Sequence, residues 1–325
     1  MSTPYLPFPT KKFADMPRFP FSQSALVAGW LTLSFLSAVA AEPTPKQVAQ
    51  EKTYQPIEDR LRPLVQELGQ PQPGDWLAQH HEDGQNFGQY RQAAPIRKSA
   101  ELSTIYVCLI GEFSPAQQKV LDATLHYLEI FYQTPVKVHN RLPLKEIPAS
   151  AQRVHPKWGM HQIHSIHVLD EVLKPGRPAN ALAYIAFTAN DLFPQPDWNF
   201  VFGQANLRER TGVWSIYRFG DPAAGEKEYH LCLKRTLGVA AHETGHILTM
   251  QHCIAFPCCM NGSNNLPESD RQPLHFCPVC LRKLCWNLQL NPTEYLSQLE
   301  KFNREQKFDD EAQWYAAARE ALGRP

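Results

Sequence analysis

Apolar residues along this chain fall into short dense runs before any longer period emerges. "TIYVCLIGEF" (104–113) is a β-rich apolar run of the kind a buried strand requires. The next stretch, 114–133, changes period: Val120, Leu121, Leu125, Leu128 and Phe131 recur at helical spacing, with Ser114 placed to cap and Pro115 at the first helical position. "PVKVHN" (135–140) predicts a second strand and "ALAYIAFTANDLF" (181–193) a third. Strand, helix, strand in that order predicts parallel pairing through a right-handed crossover. "NFVFGQAN" (199–206) and "TGVWSIYRF" (211–219) add strands around a polar turn, and "LKRTLGVAAHETGHILTM" (233–250) predicts a long helix. The body, 103–290, is thus predicted as a mixed α/β (α+β) domain, with the sheet first and helices and cysteine-rich loops after it. An amphipathic pattern over 292–322 predicts a helical C-terminal extension, 291–325.

Ahead of the body the pattern is different. Residues 41–102 are polar, rich in Pro and Gln and weakly periodic, which predicts a wrapping or pro-like arm with one short helix near 56–68. Residues 1–40 read as a secretory signal peptide. Lys11, Lys12 and Arg18 precede the apolar run 25–40, which closes on Ala38-Val39-Ala40, so cleavage is expected before Ala41. A start at Met16 would give a signal of more usual length. The alternative is an uncleaved N-terminal membrane anchor, for which the run is short.

Composition narrows the classes. The 325 residues carry 32 Lys and Arg against 32 Asp and Glu, so no summed field draws the chain to nucleic acid or to an acidic membrane. A hydrophobic content of 43% suffices for an ordinary buried core. No second stretch reaches spanning length, so an exported, soluble and monomeric protein is expected after cleavage.

The chemistry gathers late in the chain. In "HETGHILTMQH" (242–252), His242 and His246 project from one helical face, one turn apart, and can share a zinc ion. Glu243 beside them suits a general base that takes a proton from a metal-activated water and passes it to the leaving nitrogen. His252 follows at a distance from which the chain can turn back to give a third nitrogen. Three histidines with one open position describe catalytic zinc. Met260 precedes a Gly/Ser/Asn-rich turn that could floor such a site. Cys253-x4-Cys258 and Cys277-x2-Cys280 are spaced as two knuckles around a second, structural zinc; in an exported chain, a pair of disulfides is the alternative. Cys259 and Cys285 are spare, and Cys108 and Cys232 read as core thiols.

"HETGHILTMQHC", then "CCM", then "FCPVCLRKLCW" resemble the archaemetzincins, a branch of the metzincin zinc peptidases. The matching positions are His242, Glu243, His246, His252, Cys253, Cys258, Met260, Cys277 and Cys280, and the likeness covers roughly 103–290. It implies a metzincin-like fold, two zinc ions, and an edge strand, within 199–219 here, that pairs with an extended peptide or unfolded protein substrate. One departure stands out: Thr249 replaces the family's glycine at the helix end. A β-branched residue there would carry strain of about 1–2 kcal/mol at positive φ, or the helix would run on and turn at Met250-Gln251.

The competing reading is a catalytically silent, zinc-stapled peptide-binding protein, against which the intact Glu243 speaks. Minor candidates are His161, His164 and His167, expected as a strand-flanking cluster, Tyr217, expected to pack or to donate to an oxyanion, and Asp191, expected as a turn or cap residue.

Overall fold

The computed structural model describes residues 45–323, with side chains from residue 53, so the expected signal peptide at 1–40 lies outside the described residues. Five strands form the main sheet, in the order β2-β1-β5-β8-β7. They are β1 (Thr104–Ile110), β2 (Val136–Leu142), β5 (Ala181–Thr188), β8 (Thr211–Ser215) and β7 (Gly203–Asn206). The pairs β1–β2, β1–β5 and β5–β8 are parallel, and only β7 runs antiparallel, along one edge. A smaller sheet orders β3 (Gln152–Val154), β4 (His161–His164) and β6 (Asp191–Phe193).

The two faces of β1 explain its continuous apolar run. Ile105, Val107 and Leu109 enter the main core, while Cys108 and Ile110 enter a second cluster on the other face. A parallel strand covered on both sides must be apolar throughout. The first face is covered by α4 (Pro115–Tyr132) and, further along, by the helix that carries the histidines. The second lies over a π-helical turn, Val168–Leu173, flanked by the single turns α5 (Ser165–His167) and α6 (Lys174–Gly176). α4 starts as expected: the Ser114 side chain accepts from Gln117 N, and Gln117 returns the bond to Ser114 N.

Several boundaries differ from the apolar pattern for local reasons. The run 181–193 divides at Ala189-Asn190 into β5 and β6, which belong to different sheets; Thr188 Oγ1 takes the Asn190 N–H at 3.1 Å and turns the chain. The run 211–219 stops at Ser215, whose Oγ accepts from Tyr217 N at 3.1 Å and starts the 3-10 turn Tyr217–Phe219. The long helix, α7, spans Glu226–Ile247 and not 233–250. The C-terminal pattern is two helices, α10 (Pro292–Glu305) and α11 (Asp309–Gly323), broken by Lys307 at φ 58°.

The N-terminal segment departs most. In place of one short helix it forms α1 (Pro45–Leu61), α2 (Trp76–Gln79) and α3 (Phe87–Gln92). Tyr54, Ile57, Leu61, Phe87 and Tyr90 all join the main core, with Trp286 and Leu288 of α9 (Pro278–Leu288) among its members. One further helix, α8 (Leu266–Asp270), follows the cysteine loop. Among the described residues no helix is long and apolar enough to cross a membrane.

Candidate metal centres

The C-terminus of α7 decides where the histidines point. Its last turn closes by two bonds, Thr249 N to His246 O at 2.7 Å and Met250 N to Gly245 O at 3.1 Å. That pair is a Schellman cap, which places Thr249 at the left-handed position usually taken by glycine. Thr249 has φ 72°, so the alternative of a longer helix turning at Met250-Gln251 is not what forms. The strained residue is held from outside. Thr249 Oγ1 accepts from Ile96 N at 3.3 Å, Thr249 O from Gln85 Nε2 at 3.3 Å, and the neighbouring Leu248 O from Tyr90 Oη at 2.8 Å. All three donors come from the N-terminal segment.

With the bend fixed, His252 returns to His242 and His246. Their ring centroids stand 4.6, 4.9 and 5.3 Å apart. Each Nδ1 has an acceptor. His242 donates to Cys259 O at 2.8 Å, His246 to Met250 O at 2.7 Å, and His252 to the Glu82 carboxylate at 2.8 Å. These acceptors place the protons on Nδ1 and leave Nε2 as a lone pair. The Nε2 atoms of His242 and His246 face each other at 2.9 Å. Two lone pairs at that separation call for a shared proton or a metal ion between them, and ligand nitrogens on tetrahedral zinc stand about 3.3 Å apart. Burial, and then the neighbouring His246, disfavour the charged forms of His242 and His252, so both are held neutral as ligands must be. The residues present fit zinc.

Glu243 is half-buried between the first two histidines in sequence, and burial holds its carboxyl above the ordinary range, with His246 opposing. Behind this face lies Met260, fully buried. Gly245 makes room for it, since a Cβ there would come within 2.6 Å of Met260 Sδ.

The second cluster is assembled by the loop after His252. The Asn261 side chain clamps that loop, donating to Cys253 O and Phe256 O and accepting from Cys258 N at 2.8 Å. The four sulfurs of Cys253, Cys258, Cys277 and Cys280 lie within 4.8 Å of one another, all buried. Cys253 Sγ and Cys277 Sγ are 3.6 Å apart. The edge of a tetrahedral zinc–thiolate site is about 3.8 Å, whereas a disulfide bond is about 2 Å. Backbone N–H groups of Cys277 and Met260 point at Cys258 Sγ, as a thiolate requires. Hydrogen bonds from the other three thiols lower Cys253, and burial raises Cys258 and Cys277. This donor set too fits zinc. The spare thiols are all buried, and burial pushes Cys108 and Cys232 up to about 11.

The minor candidates separate from the centres. His161 and His164 end β4 and His167 lies on α5, with His164 stacked on Phe193; the three share no ligand geometry. Asp191 is no cap. It is fully buried at the start of β6, takes two bonds from Arg218 at 2.8 and 2.7 Å, and accepts from Gln162. Tyr217 stands 44% exposed on the turn after β8. Sequence reasoning missed Glu82 and Trp76, whose indole Nε1 donates to Glu82 at 2.9 Å. The only trace of them is the acidic "HHEDGQ" within a segment of no periodicity.

Comparison with known proteins identifies the family. The family model for Peptidase family M54 matches residues 180–285. Archaemetzincin-2 of Macaca fascicularis is 31% identical over 275 residues, covering 74% of this chain and 73% of its own. Archaemetzincin-2 of Homo sapiens is 30% identical over 271 residues, with the same coverage. Among solved structures, the archaemetzincin of Methanopyrus kandleri matches with a TM-score of 0.47 at 25% identity, over 59% of this chain and 99% of that one.

Proposed function

Since the chain belongs to the archaemetzincin family and is a zinc metallopeptidase, we propose that His242, His246 and His252 hold its catalytic zinc and that Cys253, Cys258, Cys277 and Cys280 hold a second, structural one. The observation that carries this reading is the convergence of three imidazoles, each with Nδ1 engaged, beside a half-buried glutamate. Zinc bound there supplies Lewis acidity toward a water and the scissile carbonyl. Glu243 does the proton work. A carboxylate whose proton affinity is raised by burial takes a proton from the attacking water and hands it to the departing amine. Met260 props the α7 face that bears His242 and His246, and the cysteine cluster pins the loop that delivers His252. The substrate is an extended peptide or unfolded chain, added as a strand along the outer edge of β7. Export of a monomer is proposed on the N-terminal sequence and charge balance alone.

The test is mass-spectrometric mapping of a mixed peptide library exposed to the zinc-loaded protein and to Glu243→Gln. The native chain is expected to cut, and the variant to lose about 10²–10⁴-fold in rate while keeping its zinc. A folded, zinc-loaded native chain that leaves every peptide intact would sink the proposal.

A further inference from the structure

The three imidazoles are braced from behind by different means. His242 and His246 give their Nδ1 protons to carbonyls of Cys259 and Met250, within the helix-and-loop unit that carries the ligands. His252 gives its proton to a carboxylate from a remote part of the chain, Glu82, with Oε1 at 2.8 Å and Oε2 at 3.1 Å. Glu82 is itself built in. Trp76 Nε1 donates to Glu82 Oε1 at 2.9 Å, and Trp76 N donates to Glu268 Oε1 at 2.8 Å. The indole stands edge-on to His252 with centroids 5.2 Å apart, and it lies so close over Gly262 that a Cβ there would come within 2.5 Å of it. Gly84, at φ +67°, brings the chain against Ile254, where a Cβ would stand 2.7 Å from Cγ1.

We propose that Glu82 is a positioning residue of the metallopeptidase centre, fixing through Nδ1 the ring nitrogen that His252 presents to the metal, and that residues 76–96 are a permanent part of that centre. The proposal rests on reading the three histidines as a zinc site. A covering propeptide that blocked the metal with a carboxylate would bring it to the Nε2 side, where the three rings converge. Glu82 instead meets the outer nitrogen of His252, where it cannot compete for the ion. A carboxylate in that place fixes the tautomer and ring angle and raises the basicity of the other nitrogen. The same segment also holds the bend before His252, through Gln85, Tyr90 and Ile96.

The experiment measures zinc content of the full chain by elemental analysis across a series of buffered free-zinc concentrations. The parent is expected to retain two ions. Glu82→Gln, which keeps the shape and removes the charge, should need about 10- to 100-fold more free zinc to half-fill one site, with the cysteine-bound ion unmoved. Trp76→Phe should shift the same site in the same direction by a smaller factor. In the metal-loaded protein, the Nδ1 proton resonance of His252 should move upfield in Glu82→Gln. Equal zinc retention by Glu82→Gln and the parent overturns the proposal, and so does an equal weakening of both ions, which a merely structural role would produce. Failure of the underlying reading looks different: the parent holds one ion only, and His246→Ala changes nothing.

Discussion

At Thr249 two local demands oppose each other, and the balance can be measured. Holding a β-branched residue at φ 72° costs about 1–2 kcal/mol, and the hydroxyl's bond from Ile96 N returns about 1 kcal/mol. Replacement by glycine relieves the strain, loses that bond and loosens the unfolded chain by about 0.4–1 kcal/mol. Thr249→Gly should therefore change stability by less than about 1 kcal/mol. Thr249→Val keeps both the shape and the strain but strips Ile96 N–H of its acceptor, and should lose about 1–2 kcal/mol. Urea unfolding of the zinc-loaded proteins checks both, and a valine variant as stable as the parent would show that the Ile96 bond contributes nothing.

At the scale of elements, α7 was legible in the sequence because His242 and His246 sit four residues apart on one face, a spacing that helical geometry makes meaningful by itself. Its bend was not legible, since the bonds that hold Thr249 come from residues 85–96 and carry no local signal. β5 and β6 looked like one strand for a different reason: a local turn, with no change of polarity, sends Asp191 to another sheet. The cysteine loop carries its own test. Of eight cysteines only four converge, and the other four are buried with proton affinities raised by burial. Thiol titration of the native protein should find none reactive with metal bound and four after chelation; no new thiols would mean disulfides.

The link from α11 to this loop is a carboxylate. Glu311 accepts from Leu274 N and His275 Nδ1, each at 2.7 Å, while Trp314 stacks on His275 at 3.8 Å. Burial raises the Glu311 carboxyl, but His275, the Leu274 N–H and Lys234 outweigh it, and the net shift is down; Tyr315 and Cys259 also face it. A depressed carboxylate stabilises the fold above its unfolded pKa and loses that contribution as pH falls through the lower folded value. Glu311→Gln should accordingly be less stable than the parent at neutral pH, with the gap closing below the usual carboxylate range. Denaturation at pH 7 and again below pH 4 reads this directly, and a gap that persists unchanged in acid would assign the loss to shape and not charge.

Over the whole molecule, the largest difference between pattern and structure is the N-terminal segment. Tyr54, Ile57 and Leu61 stand at helical spacing on one face of α1, but that helix is otherwise mostly polar, and Phe87 and Tyr90 sit on a separate short helix; each is buried against partners far along the chain. Periodicity reports a face only where enough apolar residues repeat it, and three in a mostly polar helix followed by two in a short one are too few to stand out from the surrounding composition. Those partners are very distant in sequence: Glu82 and His252 are 170 residues apart, Trp76 and Glu268 are 192, and Arg60 and Leu322 are 262. Contacts that close such long loops form late, because the entropy of closure must be met before they give anything in return. Pulse-labelled hydrogen exchange during refolding should find the amides of β1, β5 and α4 protected before Tyr90 N and Thr249 N. On the ribosome the order is stricter, since residues 76–96 emerge first and must wait for everything they will hold. The brace behind His252 can close only after the chain has grown the 170 residues from Glu82 to His252, so a nascent chain cut short before His252 should not hold residues 76–96 in place.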